Sequence, residues 1–271
     1  MTQISILGCG WLGLPLAKQL IEKGYSVNGS TTSENKLSIF KELGINPFLA
    51  TLESESISDS ITEFLKKSQI LIIDIPPKLR GNSPDPEKKV FVEKIKNLIP
   101  FIEKSTIEKV LFVSSTSVYG NENGIITEET NPNPDTESGK QLLLAEALLQ
   151  NNQNFETTII RFGGLIGNDR NPARSLSGKE NLENPDAPVN LIHQNDCINV
   201  IQEIIHQSKW NEVFNAVAPL HPAREEYYTQ KAIDLNVALP KFSSEKSNIR
   251  KIISSEKIEN SLKYQFDLKN Y

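Results

Sequence analysis

Ile4-Ser5-Ile6-Leu7-Gly8-Cys9-Gly10-Trp11-Leu12-Gly13 sets three glycines at G-x-G-x-x-G spacing directly after the first apolar run of the chain. The spacing serves backbone geometry. Gly8 permits a tight exit from a strand, Gly10 lets a pyrophosphate approach without a β-carbon in its way, and Gly13 lets the following helix pack closely on the sheet. Unpaired N–H groups at the start of that helix then hold the anion. Gly8, Gly10, Trp11, Leu12 and Gly13 are the first candidate cofactor-binding residues. Glycines alone also make ordinary turns, so the flanks decide. Leu14, Leu16, Ala17, Leu20 and Ile21 recur at helical spacing, Lys23-Gly24 gives a stop signal, and Tyr25 to Gly29 resumes as a second strand. This is the βαβ setting that the motif requires.

The chain has 271 residues with 38% hydrophobic content, enough for a buried core without staples. Its 29 Lys+Arg against 34 Asp+Glu leave a formal charge of -5, and the lack of a dense basic run argues against nucleic acid as a partner. Cys9 and Cys197 show neither a pair nor metal-ligand spacing, so no disulfide framework and no metal site is expected. No apolar stretch reaches the ~18 residues of a membrane span, and the N-terminus lacks signal-peptide character. The expectation is a cytoplasmic protein with no membrane partner.

Apolar runs at Ile45 to Leu49, Ile70 to Ile75 and Val110 to Val113 alternate with helical patterns near Asn35 to Leu43, Ile57 to Lys67 and Val90 to Ile102. Runs apolar on both faces belong inside a parallel sheet. A helix over Ser138 to Leu149 and a strand over Thr157 to Phe162 extend the pattern, with Asn121 to Asp135 as a loop between them. The predicted fold class is α/β: a Rossmann-type doubly wound parallel sheet with a smaller C-terminal substrate-binding lobe. Residues 1–167 form the NAD(P)-binding core, 189–217 add a strand and a helix to it, and 168–188 with 218–271 form the lobe.

In such a sheet function collects at the carboxyl ends of the strands. The ends to inspect are the glycine loop, Ser30-Thr31-Thr32-Ser33, Ile75-Pro76-Pro77 and Ser114-Ser-Thr-Ser-Val-Tyr-Gly120. With Arg161-Phe162-Gly-Gly-Leu-Ile-Gly167 and Val189-Asn-Leu-Ile-His-Gln-Asn-Asp196, they resemble the extended short-chain dehydrogenase/reductases, the NAD-dependent epimerase/dehydratase group. Gly8-Cys-Gly-Trp-Leu-Gly-Leu-Pro-Leu-Ala17, Ala187-Pro-Val-Asn-Leu-Ile-His193 and Val213-Phe-Asn-Ala-Val-Ala-Pro219 look closest to its atypical, YeeZ-like bacterial subgroup. The resemblance implies a bound nicotinamide cofactor and a C-terminal lobe that walls the cleft. It adds Ser30, Thr31, Thr32, Ser33, Ile75, Pro76, Pro77, Ser114 and Phe162 to the candidate cofactor-binding residues.

An acidic residue after the second strand would bind the ribose hydroxyls of NAD and repel a 2′-phosphate. Here Ser30 to Ser33 stand in its place, with Lys36 one turn on, so NADP(H) is favoured over NAD(H); the same run also suits a helix cap.

The resemblance also implies a tyrosine acid, a lysine four residues later and an orienting Ser or Thr. Ser115 matches the last. Anchored on Glu146, the tyrosine position falls on Ser138 and the lysine on Leu142; a register keeping Lys140 gives Thr136 instead of tyrosine. Neither supplies a phenol. The literal Tyr227-x-x-x-Lys231 lies far along the chain and reads as a surface contact. Tyr119 is an alternative acid or a packing residue, so Ser115 and Tyr119 are the candidate catalytic pair. His193 reads as a substrate contact or a hydrogen-bonded structural histidine, Cys9 as a helix-start thiol or loop filler, and Arg161 and Arg174 as anion holders or ion-pair members.

Two functions remain open. One is an atypical NAD(P)-dependent oxidoreductase or epimerase-like enzyme on a small polar or nucleotide-linked substrate. The other is a dinucleotide-binding sensor or regulator without redox turnover. Oligomeric state is open between monomer and homodimer.

Overall fold

The computed structural model describes residues 1–54, 56–77, 90–246 and 248–271. Strand β1 (Gln3–Leu7) leads into α1 (Gly13–Glu22), followed by β2 (Ser26–Thr31), α2 (Leu37–Glu42), β3 (Asn46–Leu49), α3 (Ser60–Leu65), β4 (Ile70–Ile73), α4 (Val90–Glu103) and β5 (Lys109–Ser115). A 3-10 turn at Thr116–Tyr119 and strand β6 (Gly124–Ile126) precede α5 (Glu137–Gln150), β7 (Glu156–Phe162) and β8 (Gly164–Ile166). Then come α6 (Pro172–Leu176), β9 (Leu191–His193), α7 (Gln194–His206), β10 (Val213–Ala216), α8 (Arg224–Asp234), β11 (Lys251–Ile253) and α9 (Glu256–Leu262).

Seven strands form one parallel sheet in the order β10-β7-β5-β4-β1-β2-β3. The chain winds outward from β1 to β3 and returns on the other side of β1 at β4, so the winding reverses between β1 and β4. A parallel sheet between helical layers must be apolar on both faces. Accordingly Ile70, Leu71, Ile72 and Ile73 are all buried. Leu16, Leu20, Phe40, Ile201, Ile204 and Ile258 pack on one face; Phe64, Ile95, Leu98, Phe112, Leu142 and Leu149 pack on the other. Burying one such side chain contributes roughly 1.5–3 kcal/mol. No helix among the described residues is long and apolar enough to cross a membrane.

The structure departs from the sequence reading at several boundaries. β2 runs on through Ser30 and Thr31 because their carbonyls accept from Cys9 and Ala50, continuing the ladder. β4 stops at Ile73, leaving Asp74, Ile75, Pro76 and Pro77 as a loop, since prolines offer no ladder donor. The expected loop Asn121 to Asp135 contains β6, which pairs in parallel with β11. The interval 168–188 contains α6, which packs on α8 of the expected lobe. The tail does not stay with that lobe. α9 lies against α7 and β10, and Ile258, Leu262 and Phe266 enter the core beside the main sheet.

Candidate cofactor and substrate site

The β1 and β4 carboxyl ends meet at the winding reversal, where open α/β sheets bind ligands. Gly8 has φ +107°, and a β-carbon there would stand 2.3 Å from the Asp74 carbonyl oxygen. A β-carbon on Gly13 would stand 2.3 Å from the Gly8 oxygen. Those two glycines are required by the protein's own packing. Gly10 is different: a β-carbon there would meet nothing within 4 Å. Leu12 is the N-cap of α1 and supplies no side-chain cap, and among the described residues the N–H groups of Trp11 and Leu12 have no acceptor. The residues therefore fit a pyrophosphate, with open space at Gly10 and free donors at a helix start.

Beside the loop lies a cavity of about 330 Å³, lined by Gly8–Gly10, Ser30–Ser33, Asp74–Pro77, Lys36, Glu53 and Lys94 among others. Lys94 pairs with Glu53 at 3.5 Å. A broader open depression of about 630 Å³ involves Lys109, Asn152 and Glu156, at the amino-terminal ends of β5 and β7. That is the wrong end of the strands for a ligand in this architecture.

The structure sorts the predicted cofactor residues. Ser30 is buried and its hydroxyl accepts the Gly8 N–H at 2.9 Å, so it shapes the glycine loop. Thr31 Oγ1 accepts the Ser33 N–H at 3.1 Å, and Ser33 makes no side-chain cap, which removes the capping role. Thr32 and Lys36 are exposed at the rim of the cavity. Ile75, Pro76 and Pro77 line the same space. Trp11 Nε1 donates to Asp169 at 2.8 Å, the Arg170 guanidinium stacks 5.0 Å from the Trp11 ring, and Gln194 donates to the Trp11 carbonyl. Trp11 thus ties the glycine loop to the turn after β8. The side chains of Leu12 and Phe162 are core residues, leaving Leu12 only its backbone to offer a ligand.

The Ser114 side chain is engaged by the protein's own groups. Its hydroxyl donates to Glu146 Oε1, inside a network in which Arg161 grips Glu146 through Nη2 at 2.6 Å and through Nε at 3.2 Å. Arg161 Nη1 donates to the Tyr119 hydroxyl at 2.7 Å, and that hydroxyl donates to Asn215 Oδ1 at 2.9 Å. Tyr119 is fully buried, and burial raises its pKa. This is the packing role, not that of an acid facing a cleft. Arg161 is an ion-pair member; Arg174 is exposed on α6 and makes no ion pair among the described residues.

Ser115 keeps a usable hydroxyl. It is half-buried and accepts the Ser117 N–H at 3.2 Å, leaving its own O–H to donate. Around it the implied acid machinery is missing. Ser138 is half-buried at the start of α5, Leu142 is a core residue, Lys140 is exposed, and Thr136 caps α5 by accepting from Gly139. Lys231 lies 5.7 Å from the Tyr227 ring and donates to the Tyr271 backbone oxygen, a packing contact on α8.

His193 caps α7, its Nδ1 accepting the Asn195 N–H, and burial lowers its pKa. Cys9 is buried under the loop, and burial pushes its thiol up to about 12, with the nearby Asp74 adding to the rise. It is a loop filler, not an activated thiol.

Asp74 is the residue that the sequence reading missed. Its carboxyl accepts the Gly13 N–H, and burial pushes it up to about 8 against the pull of that bond. The signal was there: a single carboxylate closes the otherwise apolar run Ile70–Ile73.

A family model for NAD(P)H-binding proteins matches residues 8–206. Protein YeeZ of Escherichia coli K12 is 34% identical over 268 residues, covering 98% of this chain and 96% of that protein. A short-chain dehydrogenase/reductase superfamily protein of Agrobacterium tumefaciens, solved with bound NAD, superposes with a TM-score of 0.78 at 17% identity, over 98% of this chain and 92% of that one. A putative NAD-dependent epimerase/dehydratase from Methylobacillus flagellatus gives a TM-score of 0.77 at 25% identity, over 98% and 93%. The glycine loop, the seven-stranded sheet and these matches agree: the chain belongs to the NAD(P)H-binding family, is a homologue of Protein YeeZ, and shares its fold with the short-chain dehydrogenase/reductase and epimerase/dehydratase structures.

Proposed function

We propose that the protein binds NADP(H) in preference to NAD(H) and acts as an oxidoreductase or epimerase-like enzyme on a small polar or nucleotide-linked substrate. The observation that carries the cofactor preference is the ribose end of the cavity: hydroxyls of Thr32 and Ser33 and the Lys36 ammonium stand where an acidic residue would exclude a 2′-phosphate. The nicotinamide, when bound, supplies hydride exchange. Gly8, Gly10 and the Trp11 and Leu12 N–H groups hold the pyrophosphate, while Ser115 donates its free hydroxyl to the reacting oxygen of the substrate. A serine hydroxyl is too weak an acid to replace a phenol, so Ser115 orients rather than protonates.

A second reading, a dinucleotide sensor without turnover, is favoured by one observation: the lysine position falls on Leu142, only 4% exposed in the core. Titration of cofactor-stripped protein with NADPH and NADH, followed by nicotinamide fluorescence, tests both readings. NADPH is expected to bind about tenfold or more tightly than NADH, which a single phosphate–ammonium contact supplies. Ser115→Ala should cut turnover at least about tenfold with NADPH affinity unchanged. If Ser115→Ala turns over normally, Ser115 leaves the mechanism; if neither dinucleotide binds, both readings fall.

A further inference from the structure

We infer that Asp74 makes dinucleotide binding at this site take up a proton, so that affinity is set by pH through one carboxyl beneath the glycine loop. The inference rests on the NADP(H)-binding reading above and concerns how that same site is regulated.

The geometry fixes Asp74 tightly. Its N–H donates to the Leu7 carbonyl at 2.9 Å, holding the residue against the end of β1. Its Oδ2 stands 3.2 Å from where a Gly13 β-carbon would be, and its carboxyl accepts the Gly13 N–H at the start of α1. It lines the same cavity as Gly8, Cys9 and Gly10. Among the described residues no cation pairs with it.

The surroundings offer little to compensate a charge. Cys9 from the glycine loop and Cys197 from α7 both lie near Asp74, and burial keeps both thiols neutral. Across the cavity stand Lys36 and Lys94, the latter already paired with Glu53. An ionised Asp74, half-buried on the wall of the same cavity, would therefore face an entering pyrophosphate as one anion faces another, which favours protonation of the carboxyl. The neutral acid removes the repulsion and gains an O–H donor. Because the Asp74 carboxyl is already held up to about 8 in the free protein, the proton is taken up in the mildly alkaline range.

The sign follows from linkage: the bound state holds more protons, so affinity falls as pH rises. Between pH 7 and 9.5 the NADPH dissociation constant of the wild-type protein should rise by about tenfold or more. The 2′-phosphate titrates near pH ~6, below this window. Asp74→Asn keeps an acceptor for the Gly13 N–H and should bind NADPH with a flat profile. Isothermal titration of the wild type at pH 8, in two buffers of different ionisation enthalpy, needs no variant and should read net proton uptake on binding.

A flat wild-type profile with tight binding, no proton uptake at pH 8, or an unchanged slope in Asp74→Asn overturns the inference while leaving the NADP(H) reading intact. Failure to bind NADPH at any pH overturns both.

Discussion

Glu146→Ala is expected to lower unfolding stability by roughly 3–5 kcal/mol, the cost of leaving a buried guanidinium without its partner. Arg161 and Glu146 are 6% and 1% exposed, and their bidentate contact is the centre of a network that also satisfies Ser114 and Tyr119. Removing the carboxylate strands the Arg161 charge, leaves the Ser114 hydroxyl without its acceptor and opens a void under α5. Urea denaturation at pH 7 reads the loss as a lower midpoint at constant m-value. A matched pair of apolar replacements, Arg161→Met with Glu146→Leu, should recover much of it, because the desolvation cost disappears with both charges. If Glu146→Ala costs under about 1 kcal/mol, the network is not the buried unit described.

Gly10→Ala should leave the free protein's stability within about 0.5 kcal/mol, since an added β-carbon meets nothing within 4 Å. NADPH affinity should fall by about a hundredfold or more, because the methyl occupies the approach of the pyrophosphate and two charge-assisted bonds, each worth about 1.5–3 kcal/mol, are lost. Gly13→Ala is the contrasting control. Its β-carbon would sit 2.3 Å from the Gly8 oxygen, so thermal unfolding should already fall in the free protein. If Gly10→Ala binds NADPH normally, the space beside Gly10 is not where the pyrophosphate lies. The contrast separates a glycine kept for a ligand from one kept for the fold.

Much of the fold was legible because parallel strands carry their own signature. Ile70-Leu-Ile-Ile73 reads as a doubly buried strand from composition alone, and the glycine loop follows β1 without an intervening residue. What stayed hidden depended on distant partners. β6 is three residues long and exists only because β11 comes to pair with it from about 125 positions away. The place of α9 against α7, outside the expected lobe, is likewise set by contacts between distant parts of the chain.

The glycine loop of the candidate site was legible for the same reason: it is made of backbone, and glycine spacing reports backbone. The substrate half was not. Ser114 and Ser115 are adjacent in sequence and both were plausible, yet successive residues of a strand face opposite ways, and only Ser115 keeps a free hydroxyl. Nothing local in the sequence separates an acidic Tyr119 from a packing one; Arg161 and Asn215, on the hydroxyl from distant strands, decide it.

By itself, then, the sequence determined a doubly wound parallel sheet with a dinucleotide loop at the end of its first strand, because periodicity and glycine spacing are local properties. Only the tertiary structure decided which polar side chains are occupied and which are free. It also put the Asp74 carboxyl beneath Gly13, some sixty positions apart in sequence: burial and hydrogen-bond competition are settled by neighbours that folding brings from elsewhere in the chain.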